Sequence, residues 1–101
     1  MTVELIPAAR FDVDDQAEFW ESKSKGLGLE FIEHIEDEVF RIQQDLERGI
    51  FGRKVGEFWK TLTERFSTAI YYRVTGEMVV IFAIFNTRED PAWIAQQLRI
   101  R

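Results

Sequence analysis

The spacing of apolar and polar side chains changes along the chain, and each change marks an element. Thr2-Val3-Glu4-Leu5-Ile6 alternates and stops at Pro7, which predicts a short strand ended before a helix. From there Ala9, Val13, Ala17 and Trp20 recur at steps of four, four and three. That spacing predicts a buried helical stripe, with Asp12, Asp14, Asp15 and Glu18 elsewhere on the surface. Residues 22–28 contain Gly26 and Gly28 but no periodic apolar position, so a turn is expected. Ile32, Ile35, Val39, Ile42 and Leu46 form a second stripe, widened by Phe31 and Phe40. Burying those five stripe side chains favours folding by roughly 1.5 to 3 kcal/mol each, an upper bound because the unfolded chain is partly collapsed. The two helices are expected to form a hairpin packed on an apolar layer.

After Arg48 the pattern changes. Gly49, Gly52 and Gly56 punctuate a loop, and from Phe58 the period falls to about two, with Thr, Phe, Tyr, Ile and Val favoured. Strands are expected at 58–63, 66–74 and 78–85, the last two joined by a tight turn at Thr75-Gly76, where glycine accepts positive φ. Residues 78–85 are apolar on both faces, as in a central strand covered by the helices on one side and the C-terminal segment on the other. Tyr71 and Tyr72 point to opposite faces, so only one is expected in the core. Pro91 suits the first position of a short helical turn capped by Asp90. The expected fold is α+β in two layers. An N-terminal strand and an α-helical hairpin pack on a mainly antiparallel sheet of about four strands, followed by the short C-terminal turn, all in one domain spanning 1–101.

Composition agrees with one domain, since 101 residues with 46% apolar and 31% charged side chains can bury a single core. The absence of cysteine excludes disulfides and thiolate chemistry and is compatible with a reducing compartment. Residues 1–6 have neither a basic nor an apolar leader pattern, and the longest apolar run is far too short to cross a bilayer, which reads as cytoplasmic. The net charge of −5 argues against nucleic-acid binding through a globally basic surface. Charge is nevertheless polarised. Residues 1–52 hold 13 acidic against 5 basic side chains, and residues 53–101 hold 5 acidic against 8 basic. Either the second half faces an anionic partner or the acidic helices are simply solvated.

Arg88 is the leading candidate for binding, because a guanidinium fixed at a strand end can grip a carboxylate or phosphate with two hydrogen bonds. The alternative is an ion pair with Glu89, Asp90 or an acidic helix residue. Trp93 can anchor an interface or cover the sheet as core. Lys60, Arg65 and Arg73 can form a basic strip across the strands, or serve as solubilising and edge-protecting charges. His34, the only histidine, lies beside the second stripe without a set of metal-ligating partners, and Glu36-Asp37-Glu38 reads as a solvated outer face. No metal or cofactor motif is present.

Four groups of residues carry a resemblance to a known family: Trp20 with Gly26-Leu27-Gly28-Leu29-Glu30-Phe31; Arg65-Phe66; Ile70-Tyr71-Tyr72-Arg73-Val74; and Arg88-Glu89-Asp90-Pro91-Ala92-Trp93. In order and spacing they resemble the RelE/ParE superfamily of bacterial toxins, in its ParE, or plasmid-stabilisation, branch. The resemblance implies the toxin of a type II toxin-antitoxin system, inhibiting growth by binding DNA gyrase and neutralised by a cognate antitoxin, as a homodimer or a hetero-oligomer with that antitoxin. The RelE branch instead implies a ribosome-dependent endoribonuclease, for which Lys54, Lys60, Arg73 and Arg88 would supply the cations. Ala69 stands where the ribonuclease arginine is expected and Trp93-Ile94 near the place of its C-terminal tyrosine, which leaves the catalytic residues unknown. The ParE pattern usually continues Arg65-Phe66 with proline and an aromatic, where this chain has Ser67-Thr68. A third reading is a non-toxic family member that only binds an antitoxin or another protein.

Overall fold

In the structure, a computed structural model describing residues 1–101, both apolar stripes form helices, α1 (Pro7–Lys23) and α2 (Leu27–Glu47). Their turn is closed from an unexpected direction. The N-terminus of α2 has no capping side chain of its own; Glu21 of α1 accepts hydrogen bonds from the N–H of Gly26 at 3.0 Å and of Gly28 at 3.0 Å. These bonds to the charged form hold the Glu21 carboxyl below the usual carboxylate range. The helices also approach closely here. A Cβ on Gly28 would lie 2.6 Å from the carbonyl oxygen of Ala17, so only glycine fits without parting them.

The helices are preceded by β1 (Thr2–Leu5) and followed by β2 (Arg53–Val55), β3 (Phe58–Leu62), β4 (Thr68–Thr75), β5 (Met78–Asn86) and the helix α3 (Pro91–Ile100). The sheet order is β1-β5-β4-β3-β2, with β1 parallel to β5 and the other pairs antiparallel. The α+β fold class expected from the sequence is the one observed, with two additions. Strand β2 extends the sheet to five strands from within the predicted loop, and α3 runs for ten residues where a single turn was expected. Asp90 caps it as predicted, accepting the Ala92 N–H at 3.1 Å.

The longer α3 turns two layers into three. The helical hairpin packs Phe31, Ile35, Ile42 and Leu46 on Ile70, Tyr72, Ile81 and Ile84, while Leu98 of α3 joins Phe58, Ala69, Tyr71, Ala83 and Phe85 on the opposite face. Tyr71 and Tyr72 are therefore both buried, because each face has its own helical cover. The Tyr72 hydroxyl accepts the Gly52 N–H at 2.8 Å, and Gly52 lies so close to β3 that a Cβ would meet the Lys60 carbonyl oxygen at 2.4 Å. Three other expectations are corrected by packing. Phe40 is 58% exposed, since it lies off the stripe that Val39 and Ile42 keep against the core; Asp12 and Glu38, expected on the surface, are buried. No helix is long and apolar enough to cross a membrane.

Candidate functional site

Strand β5 outruns its neighbour. Pairing with β1 stops at Leu5 and Ile81, so the next backbone groups of β5 face α1 without a partner strand. Side chains satisfy them. The Ile84 N–H donates to Asp12 Oδ2 at 3.0 Å, Gln16 Nε2 donates to the Ile84 carbonyl at 2.6 Å, and Arg101 Nη1 donates to the Phe82 carbonyl at 3.1 Å. Arg101 also grips Asp12 with both nitrogens, at 2.6 and 3.0 Å, and lies over the Phe85 ring at 4.7 Å. This closes the exposed part of a central strand to pairing with another chain. Hydropathy alone passed over Asp12 and Gln16. Their signal was their helical spacing, three and seven residues after Ala9, inside the buried stripe.

Just beyond that edge lie two of the sequence candidates. The Arg88 guanidinium makes no ion pair with Glu89, Asp90 or any helix carboxylate; its backbone N–H donates to Asn86 Oδ1 at 2.8 Å. It lines an open cleft of about 600 Å³ with Phe19, Trp20 and Lys23 of α1. Trp93 lies on the other side of Glu89, packed on Phe85 at 5.0 Å between ring centres and still 38% exposed, so it is both cover and surface.

Arg65 reaches the same end of the sheet by the β3–β4 loop. Phe66 and Ser67 adopt φ of 65° and 47°, a left-handed pair uncommon for residues with a Cβ. The Ser67 carbonyl accepts the Thr87 N–H at 2.7 Å, tying this loop to the Arg88 segment. Phe66 inserts between Trp20 and Phe31, with ring centres 5.1 and 5.3 Å away. Arg65 stacks on Phe66, pairs with Glu30 at 3.3 Å and donates its N–H to His34 Nε2 at 3.3 Å. The His34 nitrogen also lies 3.8 Å from the buried Glu38 carboxylate, whose other neighbour is Arg41 at 3.6 Å.

Lys60 and Arg73 are elsewhere. Both lie on the α3 face, Lys60 over Tyr71 at 5.8 Å and Arg73 over Phe58 at 4.4 Å with Glu57 at 3.2 Å. Arg73 is opposite Val80 whereas Thr68 is opposite Asn86, so roughly 17 Å of strand separates Arg73 from the end that carries Arg88. The expected strip through Lys60, Arg65 and Arg73 therefore does not form, because Arg65 turns to α2 and the other two to the opposite face. Lys54 is also apart, over Trp59 at 4.7 Å. Burial pushes the Tyr71 hydroxyl up, away from use as a base near neutral pH. No three His, Cys, Asp or Glu side chains are placed to hold a metal ion. What converges at the strand end suits binding: a free guanidinium, a lysine and exposed aromatic surface beside a rigid sheet.

No protein-family model matches the chain, and no curated protein matches it. Among solved structures, a chain described as "Chromosomal ParDE TA system from P. aeruginosa" is 23% identical and superposes with a TM-score of 0.73, over 85% of this chain and 95% of that one. The two chains share a fold. The ParDE likeness spans nearly all of the solved chain, so the helical hairpin and the sheet belong to one shared architecture.

Proposed function

We propose that the chain is the toxin of a type II toxin-antitoxin pair, ParE-like, which inhibits growth by binding DNA gyrase and is held inactive by a cognate antitoxin protein. The observation that carries this reading is the fold shared with a chain of a ParDE system across most of both lengths. The site geometry supports binding over chemistry. The cations a ribonuclease would need, Lys54, Lys60, Arg73 and Arg88, are spread over two sheet faces and a strand end, and Ala69 is buried where the ribonuclease arginine is expected. Phosphoryl transfer needs such groups focused on one developing charge. Arg88 and Trp93 are the proposed target contacts. The test is gyrase supercoiling of relaxed plasmid with increasing purified protein. Loss of supercoiled product, reversed by the co-purified antitoxin, is expected; full activity at a large molar excess of the protein would overturn the reading.

A further inference from the structure

His34 sits where α2 meets the β3–β4 loop, between two partners that suit opposite protonation states. Its Nε2 accepts the Arg65 N–H at 3.3 Å, which requires a bare nitrogen and so a neutral ring with its hydrogen on Nδ1. The same Nε2 lies 3.8 Å from Oε1 of Glu38, and a carboxylate attracts a nitrogen only when that nitrogen carries hydrogen. Glu38 is open to such a donor. Its side chain is 3% exposed and accepts no hydrogen bond, with the Arg41 guanidinium 3.6 Å away. A buried carboxylate is stabilised by a close donor.

The other charged groups around the ring are engaged or exposed. On α2, Glu30, Asp37 and Glu38 lie one turn from His34 and Arg41 one turn further, and the loop brings Glu64 and Arg65. Glu30 pairs with Arg65 at 3.3 Å and Glu64 with Arg41 at 3.1 Å, with all four side chains more than half exposed, and Asp37 faces solvent. Exposed pairs of this kind hold little. Helix α1 contributes the Trp20 ring, packed on Phe66, whose own ring lies 5.7 Å from that of His34. The Arg65 N–H bond is thus the loop's one backbone tie to α2.

The loop in turn shapes the Arg88 cleft. Phe66 and Ser67 hold a left-handed backbone that persists only where its surroundings impose it. Phe66 packs on Trp20, which lines the cleft, and the Ser67 carbonyl accepts the N–H of Thr87, the neighbour of Arg88. Freeing Arg65 loosens one wall of the cleft and the segment that carries its cation.

We propose that His34 is a positioning residue for the Arg88 cleft and acts as a pH-sensitive latch. Neutral, it holds the loop through the Arg65 N–H. Protonated from solvent, Nε2 becomes a donor, turns to Glu38 and releases the loop. Imidazole is the side chain that ordinarily changes charge between pH 5 and 8, so target binding weakens on mild acidification. The inference rests on the reading of this cleft as the target contact and adds its regulation.

The test is an NMR titration of the whole purified protein from about pH 7.5 to about pH 5.5, across the range where imidazole changes charge. His34 is the only histidine, so its ring resonance reports its own protonation. The amide protons of Arg65 and Thr87 are expected to move with the same midpoint, Arg65 upfield as its acceptor is lost. In His34→Gln, which offers an acceptor that does not titrate, both amides should stay still. Glu38→Gln, which removes the second partner, should move the step to lower pH. An Arg65 or Thr87 amide that ignores the His34 titration in the parent would overturn the latch, and this arm needs no variant. So would the same amide step in His34→Gln. Gyrase binding to the immobilised protein is then compared at the two pH values. It should weaken about fivefold more for the parent than for His34→Gln, the order of one lost hydrogen bond. Equal weakening would overturn the control of the cleft. If neither protein binds gyrase at either pH, the proposed function falls, and the amide titration still decides the latch.

Discussion

Asp12 and Arg101, 89 residues apart in the chain, meet in a two-point ion pair at 2.6 and 3.0 Å against the unpaired edge of β5. Both side chains are about nine-tenths buried. The pair joins the first helix to the segment after the last one and satisfies backbone groups that a neighbouring strand would otherwise take.

Removing one partner leaves the other charge buried and the Ile84 N–H without an acceptor. Asp12→Ala is expected to cost roughly 3 kcal/mol, as for other broken buried pairs. Urea unfolding of Asp12→Ala, Arg101→Ala and the double variant checks this. The double variant should lose less than the two single losses combined, because the partners act as a unit. Additive losses would show that the pair is not coupled.

Gly28→Ala sets two effects against each other. Alanine favours a helix over glycine by about 1 kcal/mol. The added Cβ at 2.6 Å from the Ala17 carbonyl meets backbone that cannot step aside, and such overpacking costs about 1 to 3 kcal/mol. The clash should win, giving a lower midpoint of thermal unfolding; a raised midpoint would mean that the helices part easily.

Glu21 makes stability depend on pH in a definite direction. Its folded pKa is depressed by the Gly26 and Gly28 N–H groups, so its contribution is complete above the ordinary carboxylate pKa and is lost as pH falls through the folded value. Glu21→Gln is expected to be less stable than the parent near pH 7, with the gap closing as the pH drops below 4. A gap that stays constant in thermal scans from pH 7 to pH 3 would contradict the cap.

The periodic parts of this fold were legible in the sequence, because each expresses one dominant force. The stripes from Ala9 to Trp20 and from Ile32 to Leu46 and the Thr75-Gly76 turn are local patterns, and they folded as read. What escaped depended on partners distant in sequence. Strand β2 is three exposed residues on a sheet edge, so no alternation marks it. Helix α3 buries a single residue, Leu98, too few for a stripe to stand out. Asp12 and Glu38 read as surface because a carboxylate enters the interior only where another segment brings a cation or a backbone donor. The candidate site was legible as residue types but not as an arrangement. The strained Phe66-Ser67 pair and the Thr87 bond tie the loop that carries Arg65 to the segment that carries Arg88, and pattern cannot foresee that placement.

Arg88 gives the most direct test of the toxin reading, since its side chain is exposed and without an ion partner. Arg88→Ala should therefore change stability by no more than about 0.5 kcal/mol. The decisive measurement is the colony count of a bacterial host after induced expression of this chain alone, beside Arg88→Ala expressed to the same soluble level. The account predicts a large loss of colonies that Arg88→Ala relieves. Unimpaired growth with abundant soluble wild-type protein would contradict it.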